Sequence, residues 1–272
     1  MTTPRTGRPF LDAVLDQPGA VLAFAHRGGA EHPDLVGLEN TLAAFTHAYE
    51  LGYRYLETDV HLGADGVLLA FHDAVLDRVS DQAGTVAELT AARAAEVLVG
   101  GREPVPTLGD LFDALPEARF NIDLKSEGAA GALAAFIAAR KAHDRVLVGS
   151  FSPGRMREFR RLSLGLVATS ATPPEVAAFV AVPRTSYRSL PASVVGDFDA
   201  LQLPRRRGPV PVVTAALVRR AHRAGKHVHV WTVDDPVEAD ELLALDVDGL
   251  MTDRTDLVRE LLVGRGRWLE PR

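Results

Sequence analysis

The segment RYLETDVHLGADGVLLAFHD, residues 54–73, decides how this chain folds. Its first half, 54–60, is an apolar run of strand character in which Glu57 and Asp59 stand two residues apart. Because side chains alternate across a strand, both carboxylates point to the same side. Two like charges on one buried surface are costly unless a cation or hydrogen-bond donors compensate them. The two acids therefore indicate a functional site.

A turn signal, Asp65-Gly66, separates this run from a second apolar run at 67–72 that ends in His72-Asp73. A parallel crossover needs a dozen or more residues, and only a short polar turn is available here. The sequence therefore predicts an antiparallel hairpin. Such a hairpin folds His72 back alongside the strand that carries the two acids.

The rest of the chain alternates between short apolar runs and helical patterns, punctuated by Gly and Pro. The other predicted strands are 21–26, 120–124, 146–150, 165–169, 199–203, 227–231 and 247–251. The predicted helices are 39–51, 86–98, 107–115, 128–142, 153–161, 173–181, 212–224 and 235–244. Residues 182–198, with their prolines and serines, are predicted to form a loop. Strand–helix alternation of this kind predicts a parallel sheet with helical crossovers.

Setting aside the hairpin partner leaves eight parallel strands, which is the number in a TIM (β/α)₈ barrel. The predicted fold is therefore an α/β barrel with a short excursion at 67–106 after strand 2, within one domain that covers 1–272. An open doubly wound sheet is the alternative. It ranks second because no GxGxxG sequence follows the first strand.

Composition excludes several classes of protein. The chain has 272 residues, a net charge of −6 and 6% aromatic residues, none of which suggests a nucleic-acid-binding surface. The absence of cysteine excludes disulfides and thiolate metal sites. No apolar run approaches the ~18 residues that a membrane span needs, and the first twenty residues lack a continuous apolar core. We expect a cytoplasmic protein without stable membrane association; the sequence does not indicate its oligomeric state.

Active sites of such barrels lie at the C-terminal ends of the strands. The residues at these ends are His26, Arg27, Glu57, Asp59, His72, Asp123, Lys125 and Trp231. Three carboxylates without cysteine suit a hard divalent cation such as Mg²⁺ or Ca²⁺. Arg and Lys beside that cation suit a phosphoryl group, and two histidines can divide proton removal and donation. Asp123 and Lys125 alone would indicate an ordinary ion pair, but the joint placement predicts a phosphodiesterase site.

Seven short sequences in a fixed order carry a family resemblance. They are HRGG at 26–29, ENT at 39–41, ETDV at 57–60, ADGVLLAFHD at 64–73, DLK at 123–125, WTV at 231–233 and DGLMTD at 248–253. The ordered set, which spans about residues 21–260, resembles the glycerophosphodiester phosphodiesterase family of the PLC-like phosphodiesterase superfamily. Each piece alone is weak, whereas the order is specific.

The resemblance implies hydrolysis of a small-molecule glycerophosphodiester to glycerol 3-phosphate and an alcohol, with one divalent cation, Mg²⁺ or Ca²⁺. It implies that the substrate's own 2-hydroxyl attacks phosphorus and forms a cyclic phosphate. The implied residues are His26 and His72 as acid/base pair, Glu57, Asp59 and Asp123 as metal ligands, Arg27 and Lys125 as phosphate contacts, Trp231 as an apolar wall, and Glu39 beside metal or substrate. Two departures stand out: Leu38 replaces a common Pro, and Asp123 replaces a common Glu.

Two other functions stay open at this point. One is a lysophospholipase D or phospholipase C-like enzyme that acts on lipids, and the other is a non-catalytic phosphate-ester-binding barrel. His227 and His229 are predicted to be packed histidines and not zinc ligands. The run Arg205–Arg207 is predicted to be a solvated loop, with attraction of an anionic substrate as the sharper hypothesis. No chemistry is assigned to His32, His47, His61, His143 and His222.

Overall fold

Eight parallel strands form a closed barrel in the computed structural model, which describes residues 3–181 and 197–270. With the short strands outside the barrel included, the strands of the described residues are β1 (Leu22–His26), β2 (Tyr55–Leu62), β3 (Leu68–Ala70), β4 (Leu98–Val99), β5 (Glu103–Pro104), β6 (Arg119–Leu124), β7 (Val146–Gly149), β8 (Ala168–Thr169), β9 (Ala200–Pro204), β10 (Arg206–Arg207), β11 (Val210–Pro211), β12 (His227–Trp231) and β13 (Gly249–Thr252). The parallel strands follow the order β8-β7-β6-β2-β1-β13-β12-β9. A parallel bridge between Ser170 and Ala200 joins the two edges. The predicted TIM barrel is confirmed.

The predicted hairpin is also confirmed. β3 runs antiparallel to β2, with Val60 opposite Ala70 and Leu62 opposite Leu68. Gly66 occupies the turn with a φ of +80°, a conformation that glycine adopts without steric cost. β3 therefore lies beside β2 and outside the barrel order, which is why nine apolar runs yield eight barrel strands.

The helices that cover the barrel mostly match the predicted ones. They are α1 (Pro9–Asp12), α2 (Leu42–Glu50), α3 (Ala91–Ala94), α4 (Leu108–Ala114), α5 (Ala129–Arg140), α6 (Pro153–Leu162), α7 (Pro173–Ala181), α8 (Ala215–Arg223), α9 (Pro236–Ala244) and α10 (Thr255–Gly264). The helix predicted from 39 begins three residues later, because Thr41 is its N-cap and accepts a hydrogen bond from Ala44 N–H. α1 and α10 were not predicted. The loop predicted at 182–198 lies, apart from its last two residues, outside the described residues.

The helix predicted at 86–98 is wrong in extent. A 3₁₀ turn at Val86–Glu88 and the four-residue α3 replace it, and β4 then pairs with β5. Thr90 starts a new helix as N-cap, and Gly100 and Gly101 turn the chain back with positive φ. Buried Leu69, Phe71, Leu76, Val86, Ala94, Val97, Val99 and Val105 form a separate apolar cluster under this excursion.

The apolar core lies in two layers. The larger cluster fills the space between the sheet and the helices. The smaller cluster fills the N-terminal end of the barrel, where Phe10 of α1 packs against Tyr55, and the Tyr55 hydroxyl donates to the Phe10 carbonyl at 2.8 Å. The opposite end of the barrel is therefore left for polar side chains. No helix in the described ranges is both long and apolar enough to cross a membrane.

Candidate active site

Three neighbouring strands bring the predicted histidine and acids together. In the parallel register His26 of β1 lies opposite Glu57 of β2, and Asp59 of β2 lies opposite Asp123 of β6. The Nε2 atom of His26 is 3.8 Å from Oε2 of Glu57. Strand pairing alone therefore assembles half of the predicted site.

Glu57 and Asp59 are both buried, with 5% and 2% of their surface exposed. Asp59 is compensated by Lys125 Nζ at 2.9 Å, by Arg27 Nε at 3.4 Å and by the Asn40 amide nitrogen, which donates at 3.0 Å. Burial works against ionisation of Asp59, but the positive charges of Lys125 and Arg27 outweigh it and lower the pKa of Asp59. For Glu57, burial and then the charge of Asp59 raise the pKa to about 7. Glu57 is thus the less compensated acid of the pair.

Lys125 lies between two of the three predicted metal ligands. Its Nζ atom is 2.9 Å from Asp59 Oδ1 and 2.6 Å from Asp123 Oδ2. Burial opposes the charged form, and the two carboxylates outweigh it and raise the pKa of Lys125. Burial raises the pKa of Asp123. A positive charge is therefore already held between these two oxygens.

The HRGG sequence forms a tight turn that aims Arg27 into the site. Arg27 has a φ of +49°, unusual for a non-glycine residue, and its N–H donates to Glu57 Oε2 at 3.1 Å. Gly28 and Gly29 also have positive φ, and a Cβ at these positions would lie 2.7 Å from the Ala44 Cβ and 2.5 Å from the Thr255 Cγ2, respectively. Larger residues cannot fit there, which explains the two glycines.

His26 is held by a carboxylate that is not among the predicted site residues. Both oxygens of Asp253 are 3.0 Å from Nδ1 of His26. Burial would lower the pKa of His26, but the negative charges of Glu57 and Asp253 raise it to about 9. Because Nδ1 faces Asp253, Nε2 is the nitrogen that faces the acids.

His72 has an equivalent partner in its neighbour. Its Nδ1 is 2.6 Å from Oδ1 of Asp73. The hydrogen bond from Arg78, followed by the one from His72, lowers the pKa of Asp73 to about 2. The main-chain carbonyl of His72 is 3.1 Å from Nε2 of His61, so this residue is held at both ends.

Arg78 connects the two histidine halves of the site. It donates to Asp73 Oδ2 at 2.5 Å and to both oxygens of Glu39 at 2.8 and 2.7 Å. Arg27 donates to the same Glu39 at 3.1 Å. Both oxygens of Glu39 are therefore engaged by arginines; its predicted contact with metal or substrate stays a prediction. Beside this network is an open cleft of about 570 Å³.

Trp231 lies at the end of β12, where its ring meets that of Phe151. The centroids are 6.1 Å apart and the planes form an angle of 78°. Phe151 follows β7 and is 64% exposed, which is unusual for a phenylalanine. An aromatic pair at the C-terminal end of the strands suits contact with an apolar part of a ligand.

Residues of this region that were not predicted to belong to the site include Asn40, Arg78, Phe151 and Asp253. Asn40 and Asp253 lie inside the ENT and DGLMTD sequences, so the motifs contained them without indicating their contacts. Arg78 lies in the excursion, where no pattern marks it. Phe151 follows a predicted strand end, which was a usable signal.

Two further predictions concern residues outside this set. His227 and His229 are fully buried, and the ring of His229 packs 4.9 Å from that of Phe24. They are packed histidines, as predicted. Arg205 pairs with Glu238 and Glu241, whereas Arg206 and Arg207 are exposed on the β10–β11 ribbon.

The carboxylates of Glu57, Asp59 and Asp123 are chemically suited to a divalent cation. All three offer carboxylate oxygens, and Mg²⁺ and Ca²⁺ prefer such ligands. Glu57 and Asp59 are buried side by side, and the side chains of Arg27 and Lys125 contact Asp59, which leaves Glu57 the less compensated of the two. A cation at Glu57 would offset the burial and the repulsion from Asp59 that together raise the pKa of this residue.

Two comparisons with known proteins, one with a family profile and one with individual relatives, point to the same family. Residues 26–257 match the profile described as the Glycerophosphoryl diester phosphodiesterase family. A relative from Mycobacterium tuberculosis, named Probable glycerophosphodiester phosphodiesterase 2, is 41% identical over 250 residues, which cover 92% of this chain and 94% of the relative.

Solved structures match in fold. A putative glycerophosphoryl diester phosphodiesterase from Silicibacter pomeroyi superposes with a TM-score of 0.76 at 24% identity, covering 96% of this chain and 99% of the other. A phosphodiesterase from Oleispira antarctica, solved in complex with the product sn-glycerol-3-phosphate, has a TM-score of 0.72 at 22% identity and covers 92% and 99%.

Proposed function

Because the chain belongs to the glycerophosphoryl diester phosphodiesterase family and is thereby a phosphoric diester hydrolase, we propose that it cleaves glycerophosphodiesters to glycerol 3-phosphate and an alcohol by histidine acid/base catalysis at a divalent cation. The observation that carries this proposal is the pair of histidines, each with a carboxylate on Nδ1, of which His26 lies 3.8 Å from the buried Glu57. The Oleispira antarctica neighbour, which binds sn-glycerol-3-phosphate, supports the product.

Glu57, Asp59 and Asp123 are the proposed ligands of the cation, Mg²⁺ or Ca²⁺. When bound, such a cation neutralises phosphate charge that builds up during displacement at phosphorus. Arg27 and Lys125 are proposed to contact the phosphate oxygens that the cation does not bind. Both side chains contact Asp59, so they lie next to the proposed cation site. Arginine can bind two oxygens at once, whereas lysine acts as a point charge.

The two histidines would divide the proton transfers. One accepts the proton of the glycerol 2-hydroxyl, whose oxygen attacks phosphorus; the other donates a proton to the alcohol oxygen as its bond to phosphorus breaks. The cyclic phosphate that results is then opened by water, with the roles reversed. The carboxylates on Nδ1 support this division because they fix which nitrogen of each ring can exchange a proton with the substrate.

A lipid substrate is a second candidate, favoured by one observation. The exposed ring of Phe151 and the ring of Trp231 could contact an acyl chain as well as a glycerol. A lysophospholipid also has a free hydroxyl next to the phosphodiester, so the same chemistry applies. Comparing glycerophosphocholine with lysophosphatidylcholine separates the two, since the products are glycerol 3-phosphate and lysophosphatidic acid, respectively. A higher kcat/KM for the lipid would replace the first assignment.

The proposal is tested by turnover of glycerophosphocholine before and after EDTA treatment, with Mg²⁺ or Ca²⁺ added back. We expect loss of activity in EDTA and recovery with one of the ions. His26→Ala and His72→Ala should each lower kcat by ~10²–10⁴-fold, with His143→Ala as a matched control. Full activity in the chelator would eliminate the metal, and full activity in either histidine variant would eliminate the acid/base pair.

A further inference from the structure

A group of side chains of the types that ligate metal ions lies outside the predicted catalytic residues. His32 and Asp34 belong to the loop after β1, and His47 belongs to α2. One ligand atom from each residue lies within 4.8 Å of the other two. The two imidazole rings are 4.3 Å apart and inclined by 55°. We propose that this group binds a transition-metal ion, and that Zn²⁺ is the ion its donors favour.

The Nδ1 atoms of His32 and His47 make few hydrogen bonds with the described residues. Nδ1 of His47 is buried and receives no hydrogen bond from any described residue. Nδ1 of His32 accepts a 3.2 Å hydrogen bond from the Asp34 N–H and lies 3.8 Å from Asp34 Oδ2. A buried polar atom without a partner is unfavourable, and a bound metal ion can serve as that partner. The group thus has more donor capacity than the protein uses.

Hydrogen bonds hold the backbone that carries His32 and His47. The N–H of His32 donates to the Gly29 carbonyl at 3.0 Å, and the His32 carbonyl accepts from Leu35 N–H at 2.8 Å. Thr41 caps the helix that carries His47. The side chain of His32 is 12% exposed, whereas that of Asp34 is 77% exposed. Two ligands are therefore placed by the fold, and the third is free to rotate toward an ion.

The distances need only a small adjustment. In a tetrahedral Zn²⁺ site, bonds of ~2.0–2.2 Å separate the ligand atoms by roughly 3.4 Å. Closing a group that spans at most 4.8 Å requires a shift of about 1 Å. The Oδ2 atom of Asp34 already lies 3.8 Å from Nδ1 of His32, and rotation of this exposed side chain can bring it closer. The fourth position would face solvent and hold water.

The donor types distinguish this group from the carboxylates in the barrel. Two imidazoles and one carboxylate suit Zn²⁺, whereas oxygen ligands alone suit Mg²⁺ and Ca²⁺. Excess Mg²⁺ should therefore occupy the barrel carboxylates without competing at His32, Asp34 and His47. This difference allows the two sites to be measured separately.

A metal ion bound by His32, Asp34 and His47 would restrain the loop whose two ends contribute to the charged network at the C-terminal end of the barrel. The loop runs from Arg27 to Glu39, and both residues belong to the charged network beside the histidines. Bound metal would join the middle of this loop to α2. We therefore expect Zn²⁺ to stabilise the folded protein, because it binds a geometry that the unfolded chain lacks.

The test uses the full chain, freed of metal with a chelator and kept in excess Mg²⁺. Titration calorimetry with Zn²⁺ should give one site per chain, and the melting temperature should rise with Zn²⁺. His47→Ala and Asp34→Ala should each weaken this binding by at least ~10-fold. His143→Ala is the matched control, and Asp59→Asn should bind Zn²⁺ as the parent chain does.

Two outcomes would overturn the proposal. One is the absence of Zn²⁺ binding in excess Mg²⁺. The other is binding that survives His47→Ala and Asp34→Ala but disappears in Asp59→Asn, which would assign Zn²⁺ to the barrel carboxylates. If His47→Ala fails to fold, Asp34→Ala decides alone, because its side chain is mostly in solvent.

Discussion

Asp253, directly after the last barrel strand, has both carboxylate oxygens 3.0 Å from Nδ1 of His26, the final residue of the first strand. The two residues are 227 positions apart. They meet because β13 pairs with β1 and so closes the barrel, with Ala25 opposite Thr252. The proposed chemistry therefore depends on the closure of the barrel as well as on the acids of β2.

Asp253→Asn should impair catalysis more than folding. An amide does not stabilise a charged imidazole as a carboxylate does, and it can select the wrong tautomer. We expect kcat to fall by ~10²–10⁴-fold and the pH profile to shift. Circular dichroism melting should change little. Asp256→Asn, three positions away and paired with Arg254, is the control. An unchanged pH profile would argue that Asp253 only packs.

Arg78→Gln should lower activity through the residues that Arg78 holds. It would release Asp73 and Glu39, and through them the orientations of His72 and Arg27. We expect kcat/KM to fall by ~10–100-fold, as when an outer hydrogen-bond partner of a site is removed. Stability should change little, since Arg78 is 47% exposed and exposed ion pairs contribute little.

The control for Arg78→Gln is Arg93→Gln, which removes another exposed arginine that pairs with a nearby acid, Glu96. Both variants should be assayed with glycerophosphocholine at saturating cation. Equal activities for the two would contradict a positioning role for Arg78.

Phe151→Ala should change binding more than turnover. The exposed ring beside Trp231 offers apolar contact area, and its loss removes interactions with the bound substrate. We expect KM to rise with kcat nearly constant, and the rise to be larger for lysophosphatidylcholine than for glycerophosphocholine. Exposed Leu164→Ala is the control. A fall in kcat without a change in KM would contradict this assignment.

His229 should make the protein less stable in acid. Burial, with the charge of His227 as a second cause, lowers the pKa of His229 well below 6.5. In the unfolded chain histidine titrates near 6.5, so the unfolded state binds the additional proton below that pH. The contribution of His229 is therefore fully present above pH ~6.5 and declines at up to ~1.4 kcal/mol per pH unit below it.

The measurement is urea unfolding at pH 8 and at pH 5.5, for the parent chain and for His229→Gln. The variant should lose less free energy of unfolding between the two pH values, even if it is less stable at pH 8. An equal loss in both proteins would exclude His229 as a source of the acid sensitivity.

Local patterns predicted much of the fold and of the proposed site. The spacing of Glu57 and Asp59, the Asp65-Gly66 turn and the length between the two runs were enough to predict the hairpin and the strand count. These features depend on strand periodicity and on turn length, which act between residues close in sequence. The helix at 86–98 failed because apolar, Ala-rich residues there pack a small separate cluster and not the barrel.

Residues that are distant in sequence had no such local signal. Arg78 meets Glu39 across 39 positions, and His32 meets His47 through the conformation of a loop and the placement of α2. Sequence periodicity fixes which face of a strand or helix a side chain is on, but not which other element that face meets.

By itself, then, the sequence determined the barrel, the strand ends and the residue types gathered there. Only the tertiary structure decided that Asp253 holds His26 and that Arg78 joins Asp73 to Glu39. The physical reason is that these contacts depend on barrel closure and loop conformation, which result from packing over the whole chain.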